Sequence, residues 1–149
     1  MRRALVLARE AESRGEVPIG AVLTLDDVEV GCGSNSPIQL QDPTAHAELI
    51  AIRQGASCIG SYRLPGSVLY STLEPCPMCA GALVNARIAR LVFGARDIRF
   101  GGVRSKFQIA DSDLLNHRVE IVEGVLGADC VALLKNFFDQ KRAISNTTD

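Results

Sequence analysis

Ser67-Val68-Leu69-Tyr70-Ser71-Thr72-Leu73-Glu74-Pro75-Cys76-Pro77-Met78-Cys79-Ala80-Gly81-Ala82-Leu83-Val84 changes character partway along. Ser67 to Leu73 is a β-rich run, the kind that packs on a pleated surface. Pro75-Cys76-Pro77 then opens a helix through Cys79, Ala80, Ala82, Leu83 and Val84, because proline fits the first turn, where its missing N–H has no partner to lose. Leu91-Val92-Phe93 follows as a further short buried strand. A strand, a helix and a strand in succession point to an α/β protein.

Working outward, Ala4, Leu5, Leu7, Ala8 and Ala11 recur at helical spacing over residues 2 to 14, with Arg2, Arg3, Arg9, Glu10, Glu12 and Arg14 mostly opposite. They predict a first amphipathic helix. Ile19 to Leu25 and Val28 to Cys32 flank Asp26-Asp27 as two strands flank a tight turn. Thr44 is placed to cap a helix whose first turn carries His46 and Glu48, and Gly55 weakens or closes it. Val119 to Val122 reads as a fifth strand, Cys130 to Ile144 as a last helix, and residues 145 to 149 as a frayed tail. The expected fold is a three-layer α/β/α sandwich around a five-stranded mixed sheet. At 149 residues the chain can bury roughly 70% of its unfolded surface, so one domain over 1–149 is expected.

Composition bounds function only loosely. Hydrophobic residues make up 47% and charged residues 22%, ordinary values for a globular protein. No apolar run approaches the roughly 20 residues needed to cross a bilayer, so no membrane role and a cytoplasmic location are expected. A net charge of −1 argues against nonspecific coating of nucleic acid. Locally, however, Arg87, Arg90, Arg96, Arg99, Arg104 and Lys106 face one acid, Asp97, a local charge of +5. That stretch is either a solvated basic face or a phosphate-facing surface.

Five cysteines, Cys32, Cys58, Cys76, Cys79 and Cys130, form no disulfide framework, and only Cys76 and Cys79 are paired in sequence. With His46 they offer one imidazole and two thiolates, donors whose softness suits Zn²⁺. One zinc per chain is expected. Three protein ligands leave a fourth position for water, the mark of a catalytic rather than a closed structural site, although the fold could still bring in a fourth ligand. The thiols lie at a helix N-terminus, whose dipole favours the anionic, metal-binding form. Glu48, two residues past His46, is the candidate proton carrier; the alternative makes it a helix-start charge or a brace for the ligands. A noncatalytic zinc module that binds RNA is the competing class.

His46-Ala47-Glu48 and Pro75-Cys76-Pro77-Met78-Cys79 resemble the H-x-E and P-C-x-x-C signature of the zinc-dependent nucleobase deaminases. Within that group Asp42 to Glu48, Thr72 to Ala82, Val92 to Asp97, Asn116 to Glu120 and Phe137-Phe138 are similar to the bacterial tRNA-specific adenosine deaminases, over about Arg2 to Arg142. The resemblance implies a cytidine deaminase-like fold and hydrolysis of adenosine to inosine at the wobble position of a tRNA anticodon, with water as co-substrate and ammonia released. Guanine deaminase, acting on the free base, is the alternative with a very similar motif pair. The resemblance further implies a homodimer that receives a splayed anticodon loop, Asn35 bonding the flipped base, and Asp97 and Phe137-Phe138 near the loop. A turn asparagine is the alternative for Asn35. After Asp97 the chain departs from the family's small-residue run, with Ile98-Arg99-Phe100 before Gly101-Gly102.

Overall fold

Asp26 and Asp27 both adopt left-handed backbone angles, φ 50° and 61°, the geometry that closes a two-residue hairpin without splaying its strands. They join β1 (Gly20–Leu25) to β2 (Val28–Ser34) as an antiparallel pair. The structure, a computed structural model, describes residues 1–146. β3 (Val68–Leu73) lies antiparallel to β1 on its other side, and β4 (Arg90–Ala95) and β5 (Glu120–Glu123) continue parallel to β3. The sheet is therefore five-stranded and mixed, in the order β2-β1-β3-β4-β5, as the sequence predicts.

Alternation along β1 assigns the layers. Ala21 and Leu23 point into a cluster with Ala47, Ala51 and Ile52 of α3 (Ala47–Ile59) and Ala80 and Leu83 of α4 (Pro77–Asn85). Val22, between them, packs on the opposite face with Ala4 and Leu7 of α1 (Arg2–Ser13). Leu5 of α1 meets Ala95 and Cys130, the latter on α5 (Gly127–Ser145), which completes that layer. Two helices on each face make the three-layer sandwich. Leu23 is fully buried, a contribution of roughly 2 kcal/mol.

Three local expectations are corrected. Gly55 does not close its helix: α3 runs on to Ile59 and ends at Gly60, which takes the left-handed cap conformation. A Cβ at Gly55 would stand 2.3 Å from Leu23 Cδ2, so the glycine lets the helix pass close over the sheet. Thr44 does not cap α3; its hydroxyl donates to Asp42 Oδ1 at 2.7 Å, and His46 is the capping residue, in extended conformation. A short helix, α2 (Pro37–Leu40), intervenes between the hairpin and α3. Of the tail expected at 145–149, Ser145 ends α5 and Asn146 caps it, and residues 147–149 lie outside the described residues. No helix among the described residues is long and apolar enough to cross a membrane.

Candidate metal centre and active-site cavity

The N-termini of α3 and α4 bring the paired motifs together. His46 precedes the first residue of α3, Cys76 precedes the first residue of α4, and Cys79 lies one turn further. Extended backbone at both entry positions lets the side chains converge instead of trailing along their helices. His46 Nδ1 is 3.5 Å from Cys76 Sγ and 3.5 Å from Cys79 Sγ. All three potential ligand atoms lie within 4.8 Å of one another. A tetrahedral zinc with bonds of about 2.0 Å to nitrogen and 2.3 Å to sulfur would span N···S edges of about 3.5 Å. The donor set and its spacing therefore fit zinc. Among the described residues Cys32, Cys58, Cys130 and His117 stand outside this group; His117 Nε2 is 2.7 Å from the Ile88 carbonyl oxygen.

The same geometry orders the protons. The hydrogen bond from Cys79 lowers the Cys76 thiol to about 4 against the opposing effect of burial, with His46 assisting. Cys79, bonded to Cys76 and buried, is pushed up. The bond to Cys76 holds the His46 imidazole above its ordinary value. Such a site binds a soft cation by giving up protons.

Glu48, in the first turn of α3, is 3% exposed. Burial raises its carboxyl to about 7, a value suited to both accepting and giving a proton at neutral pH. Its Oε2 is buried and has no hydrogen-bond partner among the described residues, and Asn35 Oδ1 is in the same condition. Buried polar atoms are nearly always paired, so each orphan marks a place where a ligand or water belongs, and Asn35 is at the cavity.

A cavity of about 600 Å³ is lined by His46 and Asn35 together with Asp97, Arg99, Phe100 and Phe138, within the range of sites that take small molecules. Asn35, 6% exposed, follows β2, with its amide donating to the Ile19 carbonyl at 3.0 Å. Asp97 follows β4, and its Oδ1 accepts the amides of Arg99 and Phe100, each at 3.1 Å. The two phenylalanines part company. Phe137 is buried in α5, whereas Phe138 is 42% exposed and reaches the cavity.

Half of the basic stretch is consumed by ion pairs that the sequence did not reveal. Arg90 pairs with Glu120, Arg96 with Glu123, and Arg104 with Asp111 through two hydrogen bonds. Arg87, whose Nη1 donates to the Val84 carbonyl at 2.7 Å, Arg99, at the cavity, and Lys106 have no ion pair among the described residues. The cavity also uses Val17, Ile19, Pro37, Leu73 and Leu134, which sequence reasoning missed because apolar lining residues look like core residues. Glu74 was missed as well, although a carboxylate at the end of a buried strand was its signal.

Comparison with known proteins follows the same lines. A family described as MafB19-like deaminase matches residues 1–142. The tRNA-specific adenosine deaminase of Haemophilus influenzae is 51% identical over 144 residues, which cover 95% of this chain and 83% of that protein. A solved structure described as concerning A-to-I editing by tRNA:A34 deaminases at the wobble position superimposes with a TM-score of 0.87 and 43% identity, covering 90% of this chain and 97% of that one. Guanine deaminase from Bacillus subtilis matches less of the chain, 64%, with 61% of its own chain covered, at 40% identity and a TM-score of 0.61.

Proposed function

This chain belongs to the family of bacterial tRNA-specific adenosine deaminases, and from that premise we propose that it converts adenosine to inosine at the wobble position of a tRNA anticodon. The observation that carries the chemistry is the convergence of one imidazole and two sulfurs, with His46 opening onto the cavity, while Glu48, two residues on, keeps a buried carboxylate oxygen without a hydrogen-bond partner among the described residues. His46, Cys76 and Cys79 hold one zinc ion per chain, and their N/S donor set and 3.5 Å spacings support that assignment. When bound, the ion supplies a Lewis acid that makes water a nucleophile at neutral pH.

The chain's own residues do the rest. Water adds to C6 of the purine as Glu48 takes its proton and delivers it to the ring nitrogen. Glu48 then moves the proton of the new hydroxyl to the amino group, the C6–N bond breaks, and ammonia leaves with inosine formed. One water is consumed and no redox partner is needed. Asn35 binds the base through the orphaned Oδ1. Asp97, another lining residue, meets the RNA with the carboxylate oxygen that its two amide bonds leave free for it. Phe138 offers a partly exposed ring on which a base of a splayed loop stacks.

The 149 residues act as a single deaminase domain, in the cytoplasm, as a homodimer; the family resemblance supports each. Pure zinc-loaded protein incubated with an anticodon stem-loop should yield inosine at the wobble position and leave free guanine untouched. Ammonia release from guanine with no change in the RNA would transfer the assignment to guanine deaminase. A stable, fully active monomer in sedimentation would contradict the dimer.

A further inference from the structure

Glu74 has no part in the chemistry above, yet its carboxylate is the most heavily bonded in the described residues. It is 2% exposed at the junction between β3 and the turn that carries Cys76. Oε2 accepts the amides of Val103, Arg104 and Ser105 at 3.1, 2.8 and 3.0 Å, and Oε1 accepts the Asp97 amide at 3.2 Å and the Ser105 hydroxyl at 2.5 Å. Every one of these donors comes from residues 97–105, the segment that lines the cavity with Asp97, Ile98, Arg99 and Phe100.

The loop is shaped around that carboxylate. A Cβ at Gly101 would lie 2.1 Å from Glu74 Oε2, so only glycine lets the backbone close over it. Gly102 donates its amide to the Pro75 carbonyl at 2.8 Å, which ties the loop to the turn bearing the cysteines. The result is that Ile98 and Phe100 stay 78% and 62% exposed at the cavity instead of collapsing inward. A loop of this length with so much apolar surface in water needs an anchor to hold one conformation.

We propose that Glu74 is a positioning residue for the reaction: it fixes the 97–105 wall of the cavity at a set distance from the cysteine turn and so governs substrate binding. The proposal rests on the deaminase function above, because the wall is taken to face the RNA. Glutamine at this position keeps the shape but brings an NH₂ group to a place where only N–H and O–H donors converge, so the wall is released.

The test is Glu74→Gln in the zinc-loaded protein. KM for the stem-loop should rise roughly tenfold or more, since a released wall must be ordered each time the RNA binds, while kcat changes little and the zinc content stays at one per chain. Amide exchange at residues 97–105 should speed up without substrate, a readout that stands even if the RNA is not the substrate. Ser105→Ala, which removes one of the five bonds, should give a smaller rise in the same parameter, and it serves if Glu74→Gln fails to fold. Unchanged loop exchange, unchanged KM, or a loss confined to kcat or metal content would overturn the proposal. A wild-type protein inactive on RNA, with faster loop exchange in Glu74→Gln, would defeat the functional assignment and keep the anchor.

Discussion

Replacing Glu48 with glutamine should cut turnover steeply while removing a pH-dependent weakness from the metal-stripped protein. Burial raises the Glu48 carboxyl from an ordinary 4.5 to about 7. Between those values the unfolded chain gives up this proton and the folded chain keeps it, so the wild type loses stability as pH rises from about 4.5 to 7. Each unit of difference corresponds to about 1.4 kcal/mol, so from pH 5 to pH 8 the carboxylate costs the fold roughly 2–3 kcal/mol. The neutral amide carries no such cost. Any constant effect of the substitution cancels when the two pH values are compared within each protein. The assay is urea unfolding of wild type and Glu48→Gln, both metal-free, at pH 5 and pH 8, with turnover measured on the zinc-loaded forms. Relative to wild type, the variant should gain roughly 2–3 kcal/mol between pH 5 and pH 8. Its activity should fall by about 10² to 10⁴ with zinc retained. A stability difference that does not move with pH would refute the buried, raised carboxyl, and an unchanged rate would remove Glu48 from the mechanism.

Metal analysis should find that Cys79→Ser no longer holds one zinc per chain whereas Cys58→Ser and Cys130→Ser do, since of these three cysteines Cys79 alone joins the group around His46 Nδ1; the opposite pattern would overturn the ligand assignment. Gly55→Ala, which raises helix propensity, should nonetheless destabilise by roughly 1–3 kcal/mol in thermal or urea unfolding, because its methyl meets Leu23 Cδ2. Asp111→Asn should lower stability at pH 7 by roughly 1 kcal/mol. The Arg104 bond holds the Asp111 carboxyl below the usual carboxylate range, so this stabilisation is present above the unfolded value near 4 and fades as pH falls through the folded one. A difference from wild type as large at pH 3 as at pH 7 would count against that pairing.

Much of this was legible in the chain because local rules and tertiary packing agree where the sequence is strongly patterned. Asp26-Asp27 announced a hairpin and adopts its backbone angles. The alternation of β1 and the helical spacing of Ala4 to Ala11 separated the two faces of the sheet. That His46, Cys76 and Cys79 come together was readable because metal-ligand chemistry restricts donors and spacing more tightly than packing restricts apolar residues. What escaped was decided at a distance. Gly55 looks like a helix end until Leu23 is seen against it. α2 is four residues long and begins at a proline, too short for any periodicity. The basic stretch counted cations whose partners, Asp111, Glu120 and Glu123, come from later in the chain. The resemblance implied a place for Asp97 near the RNA, and the fold adds that its carboxylate turns its own loop. Glu74 was hidden for a similar reason, since its five donors lie 23 to 31 residues away.

The account is tested most directly by running the reaction on an anticodon stem-loop in ¹⁸O-labelled water and digesting the product for mass spectrometry. Hydrolysis at C6 predicts inosine at the wobble position alone, carrying one ¹⁸O, with one ammonia released per inosine. Adenosine left intact at that position by the zinc-loaded protein, or inosine without the label, would contradict it.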